Sequence, residues 1–265
     1  MRKMNLRPQG SGPGWFTGMR RFGRAGLGLL LAAGLSTCGP GHGTDCLKST
    51  GSIITQQRTV EPGLLTVTTL DNVDLHLVQD SKTFAEVRAG ENLIEDIQLT
   101  RRGTSLEISN SSRCNWARSY DVPREVTLHL PRITNVFLRG SGNINTVGTF
   151  AQDTIFFHLV GAGDYDLTVQ ARLLFLDQYE LGDITVRGSA TDINFTLGGS
   201  GRLFAQGITP KHCYFNMTRD SEGDAHVRAT DAVGGYVRGT GTLYYGGPPA
   251  STDIRISGRG GSRAE

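Results

Sequence analysis

Asp164 and Asp183 are the pair of carboxylates whose placement could do chemistry. Each directly follows a glycine, Gly163 or Gly182, within a short recurring phrase. If successive phrases stack, the two side chains stand about 5 Å apart, one inter-strand spacing. Carboxylates that close could hold a cation, or serve as acid and nucleophile on a glycosidic bond. Asp166, Asp177 and Glu180 lie nearby, and Tyr165 and Tyr179 are the rings available as a sugar platform. The row then breaks, because the next equivalent positions are Arg202, Asp224 and Thr242. These turns also depart from the short nonapeptide of calcium-binding β-rolls. Asp164 and Asp183 are therefore weak metal candidates, and no catalytic residue is assigned.

Other reactive side chains form no constellation. The six histidines (His42, His76, His129, His158, His212, His226) are scattered singly, and His76 and His158 alternate with apolar neighbours as outward strand residues do. Gly140-Ser-Gly142 and Gly199-Ser-Gly201 lack the Gly-x-Ser-x-Gly spacing of a nucleophile elbow. No two cysteines stand at zinc-ligand spacing, and no cofactor is implied.

The element that must position these residues is the phrase itself. Leu138-Arg-Gly-Ser-Gly142-Asn-Ile144 recurs, with variation, so that the final glycines are Gly142, Gly163, Gly182, Gly201, Gly223 and Gly241. Four residues before them stand Leu138, Leu159, Gln178, Leu197, Arg219 and Val237; two after stand Ile144, Tyr165, Ile184, Leu203, Ala225 and Leu243. Each unit reads as strand, glycine turn, strand and polar connection, with a period near twenty. One unit cannot bury its apolar face, but stacked units can. The pattern predicts an all-β chain: a right-handed single-stranded parallel β-helix over 132–265, with a β-rich part at 52–131 before it. A β-sandwich with regular hairpins is the second arrangement compatible with the spacing. The six glycines are expected to be structural, stacking at a corner that requires φ > 0 and excludes side chains. Gln178 is expected to hydrogen-bond inside the stack, and Arg219 to lie in a bulge.

Residues 1–37 read as a signal peptide. Arg20, Arg21 and Arg24 precede the apolar run Leu27–Leu35, which is too short to span a bilayer. Met19 is an alternative start, which would make 1–18 a leader that does not belong to the translated protein. Leu35-Ser-Thr-Cys38 is similar to a bacterial lipobox, which makes Cys38 the lipidation site and 38–51 a lipidated tether. Cleavage near Cys38 without lipid is the other outcome. Export favours a disulfide, and Cys46 with Cys114 is the best pair, outside the repeats. Cys213 alternates with apolar residues and reads as a small buried hydrophobe.

The chain has 27 Lys and Arg against 25 Asp and Glu. Six of the basic residues and none of the acidic ones lie in 1–37, which leaves 21 against 25, a net −4. There is no basic stripe and no basic-aromatic interleaving, so no nucleic-acid partner is expected.

The repeated Leu-x-Gly-Ser-Gly-Asp/Asn-Ile units after a signal resemble the bacterial family described as "putative auto-transporter adhesin, head GIN domain". The ending Leu243-Tyr-Tyr-Gly-Gly-Pro-Pro249 with Gly258-Arg-Gly-Gly-Ser262, and the lead-in Ala89-Gly-Glu-Asn-Leu-Ile94, are similar to that family too. The resemblance implies a right-handed β-helix in an exported protein and carries no active site. The expected function is a non-enzymatic lipoprotein of the cell envelope, at the outer membrane or its periplasmic face, that binds envelope glycan or protein. Two other readings stand beside it: a polysaccharide-cleaving enzyme using Asp164 and Asp183, and a purely structural envelope module. The sequence sets no oligomeric state.

Overall fold

The structure, a computed structural model, describes residues 49–112 and 122–265. Cys38, Cys46 and Cys114 lie outside the described residues, as does the signal segment 1–37. Nineteen strands occur among the described residues. The first are β1 (Ile53–Thr59), β2 (Thr66–Thr69), β3 (Asp74–Gln79), β4 (Phe84–Gly90), β5 (Ile97–Arg102) and β6 (Ser105–Asn110). Next come β7 (Glu125–Leu130), β8 (Asn135–Leu138), β9 (Ile144–Val147), β10 (Phe150–Leu159), β11 (Tyr165–Gln178) and β12 (Ile184–Leu197). The series continues with β13 (Leu203–Gly207), β14 (His212–Met217), β15 (Ala225–Arg228), β16 (Ala232–Val237), β17 (Thr242–Gly246), β18 (Ser251–Ile256) and β19 (Gly261–Ala264). A single 3-10 turn, Ile94–Asp96, interrupts the strands where helical and extended signals compete.

The strands stack as the coils of a β-solenoid. Before each turn a strand joins one parallel ladder, in the order β6, β2, β8, β10, β11, β12, β14, β16, β18. After each turn a strand joins a second ladder: β7, β3, β9, β11, β12, β13, β15, β17, β19. β11 and β12 are long enough to run from the second ladder into the first, so each serves both.

Alternation decides which side chains face inward. In β10, Ile155, Phe157 and Leu159 are buried while Phe156 and His158 point outward, half-buried. Because coils pair in register, inward residues form ranks. Leu138, Leu159, Gln178, Leu197, Met217 and Val237 make one rank before the corner. Ile144, Tyr165, Ile184, Leu203, Ala225 and Leu243 make another after it. Each fully buried leucine in these ranks contributes about 2 kcal/mol of transfer free energy.

Gln178 is the polar member of its rank and is fully buried. Its amide nitrogen donates to the carbonyl of Glu180 in the turn, while its Oε1 meets no partner among the described residues. Arg219 is not in the rank at all. Leu197 pairs with Met217, and the extra residues Arg219 and Asp220 stand exposed in a longer turn. The bulge expected at Arg219 is present, and Met217 takes the rank position.

The corner glycines meet one of the two expected requirements, the exclusion of side chains, and not the other. None of the six has a positive φ among the described residues that do. Close approach alone requires them: a Cβ on Gly163 would fall 1.7 Å from the carbonyl oxygen of Gly142. No neighbour can yield there, because the obstacle is backbone.

The stack also begins earlier than the glycine phrase. β2 and β3 form a coil with no glycine at its turn, Leu70-Asp-Asn-Val73, where Asp71 takes a φ of 56°. That coil lies between two others: Val67 pairs with Val136 on one side and with Leu106 on the other. Its chain order is thus broken once, with β6 and β7 placed beyond β2 and β3. Antiparallel strands then close this end, β4 on β7, β1 on β4 and β5 on β6. They cover the edge that a parallel stack would otherwise leave open.

Candidate functional site

Stacking does bring Asp164 and Asp183 to adjacent corner positions. There Asp164 Oδ1 accepts the backbone N–H of Asp183 at 2.8 Å, and Asp183 Oδ1 accepts that of Arg202 at 2.7 Å. The same bond occurs before and after them. Asp74 accepts from Asn143 at 2.7 Å, Asn143 from Asp164 at 2.9 Å, and Asp224 from Thr242 at 2.6 Å. These residues stand at the start of the strand that follows each turn, where the turn leaves a backbone donor exposed, and a short polar side chain from the preceding coil satisfies it. Asp183 Oδ2 receives the Arg202 guanidinium at 2.7 Å, and this hydrogen bond and charge raise the Arg202 pKa. The aspartates are thereby occupied in joining coil to coil. Among the described residues no three His, Cys, Asp or Glu side chains are grouped to hold a metal ion.

Tyr165 is not a surface platform. It is fully buried, with its hydroxyl against the carbonyls of Val136 at 3.0 Å and His158 at 3.2 Å, and burial pushes its phenol well up. Cys213 is likewise enclosed, its thiol pushed up to about 12 by burial.

The side chains that the corner does not use face outward from the first ladder. Phe137 stacks on His158 with ring centroids 4.3 Å apart, and Phe156 on Phe175 at 4.2 Å. His158 Nδ1 stands 2.9 Å from Asp177 Oδ2. Beyond Phe175 the ring column stops for one coil, where Asn194 takes the position, and resumes at Tyr214, which is 48% exposed. The gap is a cleft of about 340 Å³ floored by β12. Tyr179 lies across Gly198 toward Thr196 at the corner end of this coil; burial and the Asp177 charge push its phenol up. Further along, the Arg238 guanidinium sits 4.2 Å from the Tyr236 ring centre. Aromatic faces, amides and a carboxylate therefore alternate along this outward face.

A family model described as "Putative auto-transporter adhesin, head GIN domain" matches residues 65–249. The chain belongs to that family. Solved structures share its fold at low identity. A "putative adhesin" from Bacteroides fragilis superposes with a TM-score of 0.68 at 18% identity, over 81% of this chain and 97% of that one. A "putative lipid binding protein" from Parabacteroides distasonis gives 0.60 at 19%, over 81% and 97%. A "putative adhesin" from Parabacteroides merdae gives 0.54 at 18%, with the same coverage. None of the curated proteins is detectably similar to the chain.

In this family member, the outward cleft was legible only as a difference between repeats. Phe156, Phe175 and Asn194 each stand seven residues before a final glycine, an outward position that changes from ring to amide between coils. Tyr214 escaped that count because Arg219 and Asp220 lengthen its turn.

Proposed function

We propose that the chain is a non-catalytic binding module of the bacterial cell envelope, exported by residues 1–37 and held there by lipid on Cys38. The observation that carries this reading is the division of labour between corner and face. The one row of acids that could have acted chemically accepts backbone hydrogen bonds from coil to coil. The aromatic and amide side chains of the first ladder point outward from a rigid stack. The family description and the "putative adhesin" structures support adhesion or binding as the role, with envelope glycan or protein as the partner.

The test is a pull-down with the full chain carrying Cys38→Ser, against glycan and protein fractions of the envelope, with release of reducing ends followed in parallel. Retention of an envelope fraction without turnover supports the reading. Turnover that disappears in Asp164→Asn with Asp183→Asn overturns it in favour of a carbohydrate-cleaving enzyme.

A further inference from the structure

We propose that the cleft between Phe175 and Tyr214 is a binding site for a pyranose unit of a neutral glycan. This rests on the binding reading above and names the chemistry of the ligand. Phe175 and Tyr214 occupy the same outward position on β11 and β14, two strand spacings apart, which is roughly 10 Å. Between them the smaller Asn194 leaves a cleft of about 340 Å³, a size suited to a small ring. Phe175 is already stacked on Phe156 at 4.2 Å, so its ring is fixed with one face toward that neighbour and the other toward the cleft.

Of the polar side chains in the cleft, Asn216 Oδ1 accepts from Arg238 and Thr196 is hydrogen-bonded to Tyr179, which leaves Asn194, one oxygen of Asp177 and the Tyr214 hydroxyl. Asn194 makes no side-chain hydrogen bond among the described residues and offers both a donor and an acceptor. Asp177 gives Oδ2 to His158, leaving Oδ1 to accept a hydroxyl. A pyranose presents apolar C–H groups on its faces and hydroxyls around its rim. Aromatic walls with an amide on the floor and a carboxylate on the β11 side match that distribution.

Other ligand classes fit less well. Asp177 is the charged residue of the lining and disfavours phosphate or uronic acid beside it, while the Arg238 guanidinium at the far side is engaged by Asn216 Oδ1 and the Tyr236 ring. A peptide adding by strand pairing needs free backbone groups, whereas β12 is paired with β11 on one side and β14 on the other. A lipid chain needs an apolar channel, and half of this lining is amide, hydroxyl or carboxylate.

The experiment titrates the full chain carrying Cys38→Ser with maltohexaose, cellohexaose, mannohexaose and, as the anionic probe, hexagalacturonate. At least one neutral hexaose is expected to bind. Tyr214→Ala and Asn194→Ala should each weaken it by about tenfold or more, and Tyr214→Phe should retain it. Arg172→Ala, on the separate outward cleft near Asp153, should change nothing. Because Tyr214 is exposed, an unchanged unfolding midpoint shows that the loss is not one of folding. Binding that survives both alanine variants, stronger binding of hexagalacturonate, or no binding of any neutral hexaose at millimolar concentration overturns the proposal. If the envelope pull-down persists in Tyr214→Ala, the cleft assignment fails while envelope binding stands. If the unsubstituted protein retains no envelope fraction, the broader reading fails whatever the hexaoses do.

Discussion

The carbonyl oxygen of Gly163 stands 1.8 Å from the point that a Cβ on Gly182 would occupy. The same relationship joins Gly142 to Gly163 and Gly182 to Gly201, so the corner is a column of backbone in contact with backbone. The first glycines of the phrase are nearly as crowded, a Cβ on Gly140, Gly161, Gly199 or Gly239 falling 2.0–2.3 Å from a backbone oxygen, yet Glu180 and Ser221 take that position in two coils.

Gly182→Ala should therefore destabilise the protein by about 3 kcal/mol or more, since coils on both sides must move to admit the methyl group. Gly261→Ala is the control. A Cβ there meets nothing within 4 Å and its φ is not positive, so the effect should stay within about 0.5 kcal/mol. Urea unfolding midpoints of the two variants check the contrast.

Gln178→Leu should raise stability by about 1 kcal/mol. It matches the flanking Leu159 and Leu197 of the same rank and removes a buried carbonyl oxygen that has no partner. The bond lost from Gln178 to the carbonyl of Glu180 leaves that carbonyl satisfied, because Ser200 and Gly201 also donate to it. A thermal midpoint at or below that of the parent would contradict this account.

Asp183→Asn should be tolerated and Asp183→Ala should cost about 1 kcal/mol. Asparagine already fills the equivalent place at Asn143, where it accepts the N–H of Asp164. Millimolar calcium should leave the melting temperature of the parent unchanged, as both Asp183 oxygens are engaged by Arg202. A calcium-dependent rise in melting temperature would argue for a cation at the corner.

The Cys213 thiol, pushed up to about 12, titrates only when the chain unfolds. The unfolded thiol ionises near pH 8.5. Between about pH 8.5 and 12 the folded state keeps a proton that the unfolded state has lost, so this residue makes stability fall as pH rises. Cys213→Val should flatten that alkaline decline. Iodoacetamide at pH 8 should label the Cys213 peptide after denaturation and not before, as read by peptide mass mapping.

Palmitate labelling should report on the anchor. Label is expected on the parent and not on Cys38→Ala; persistence of label in the variant would remove the lipid from the proposed function. Alkylation of Cys46 and Cys114 without reductant would remove the proposed disulfide.

Much of this architecture was legible in the residues, because in-register stacking writes the same requirement at the same place in every coil. The ranks at Leu138 and Ile144 and the glycine column follow from that repetition. The rest was hidden for identifiable reasons. Glycine serves both positive φ and close approach, and sequence does not distinguish them, so the corner was assigned both where close approach alone operates. Tyr165 looked available because tyrosine suits both surface and core; its burial depends on two carbonyls from other strands. The coil of β2 and β3 carries Asp71 and Asn72 at its turn, not glycine, so periodicity passed over it. The outward cleft was obscured because a binding face is built from positions that do not repeat.

The interleaved coil also sets an order in time. During synthesis β2 and β3 leave the ribosome before either of the coils that enclose them, and the antiparallel cover of that end is complete before Ile144 is made. Every later coil is then added to one face only, each finding its template already present. Shortening the chain from the C-terminus removes rungs singly, whereas loss of Thr66–Gln79 takes away the rung on which both directions of assembly depend.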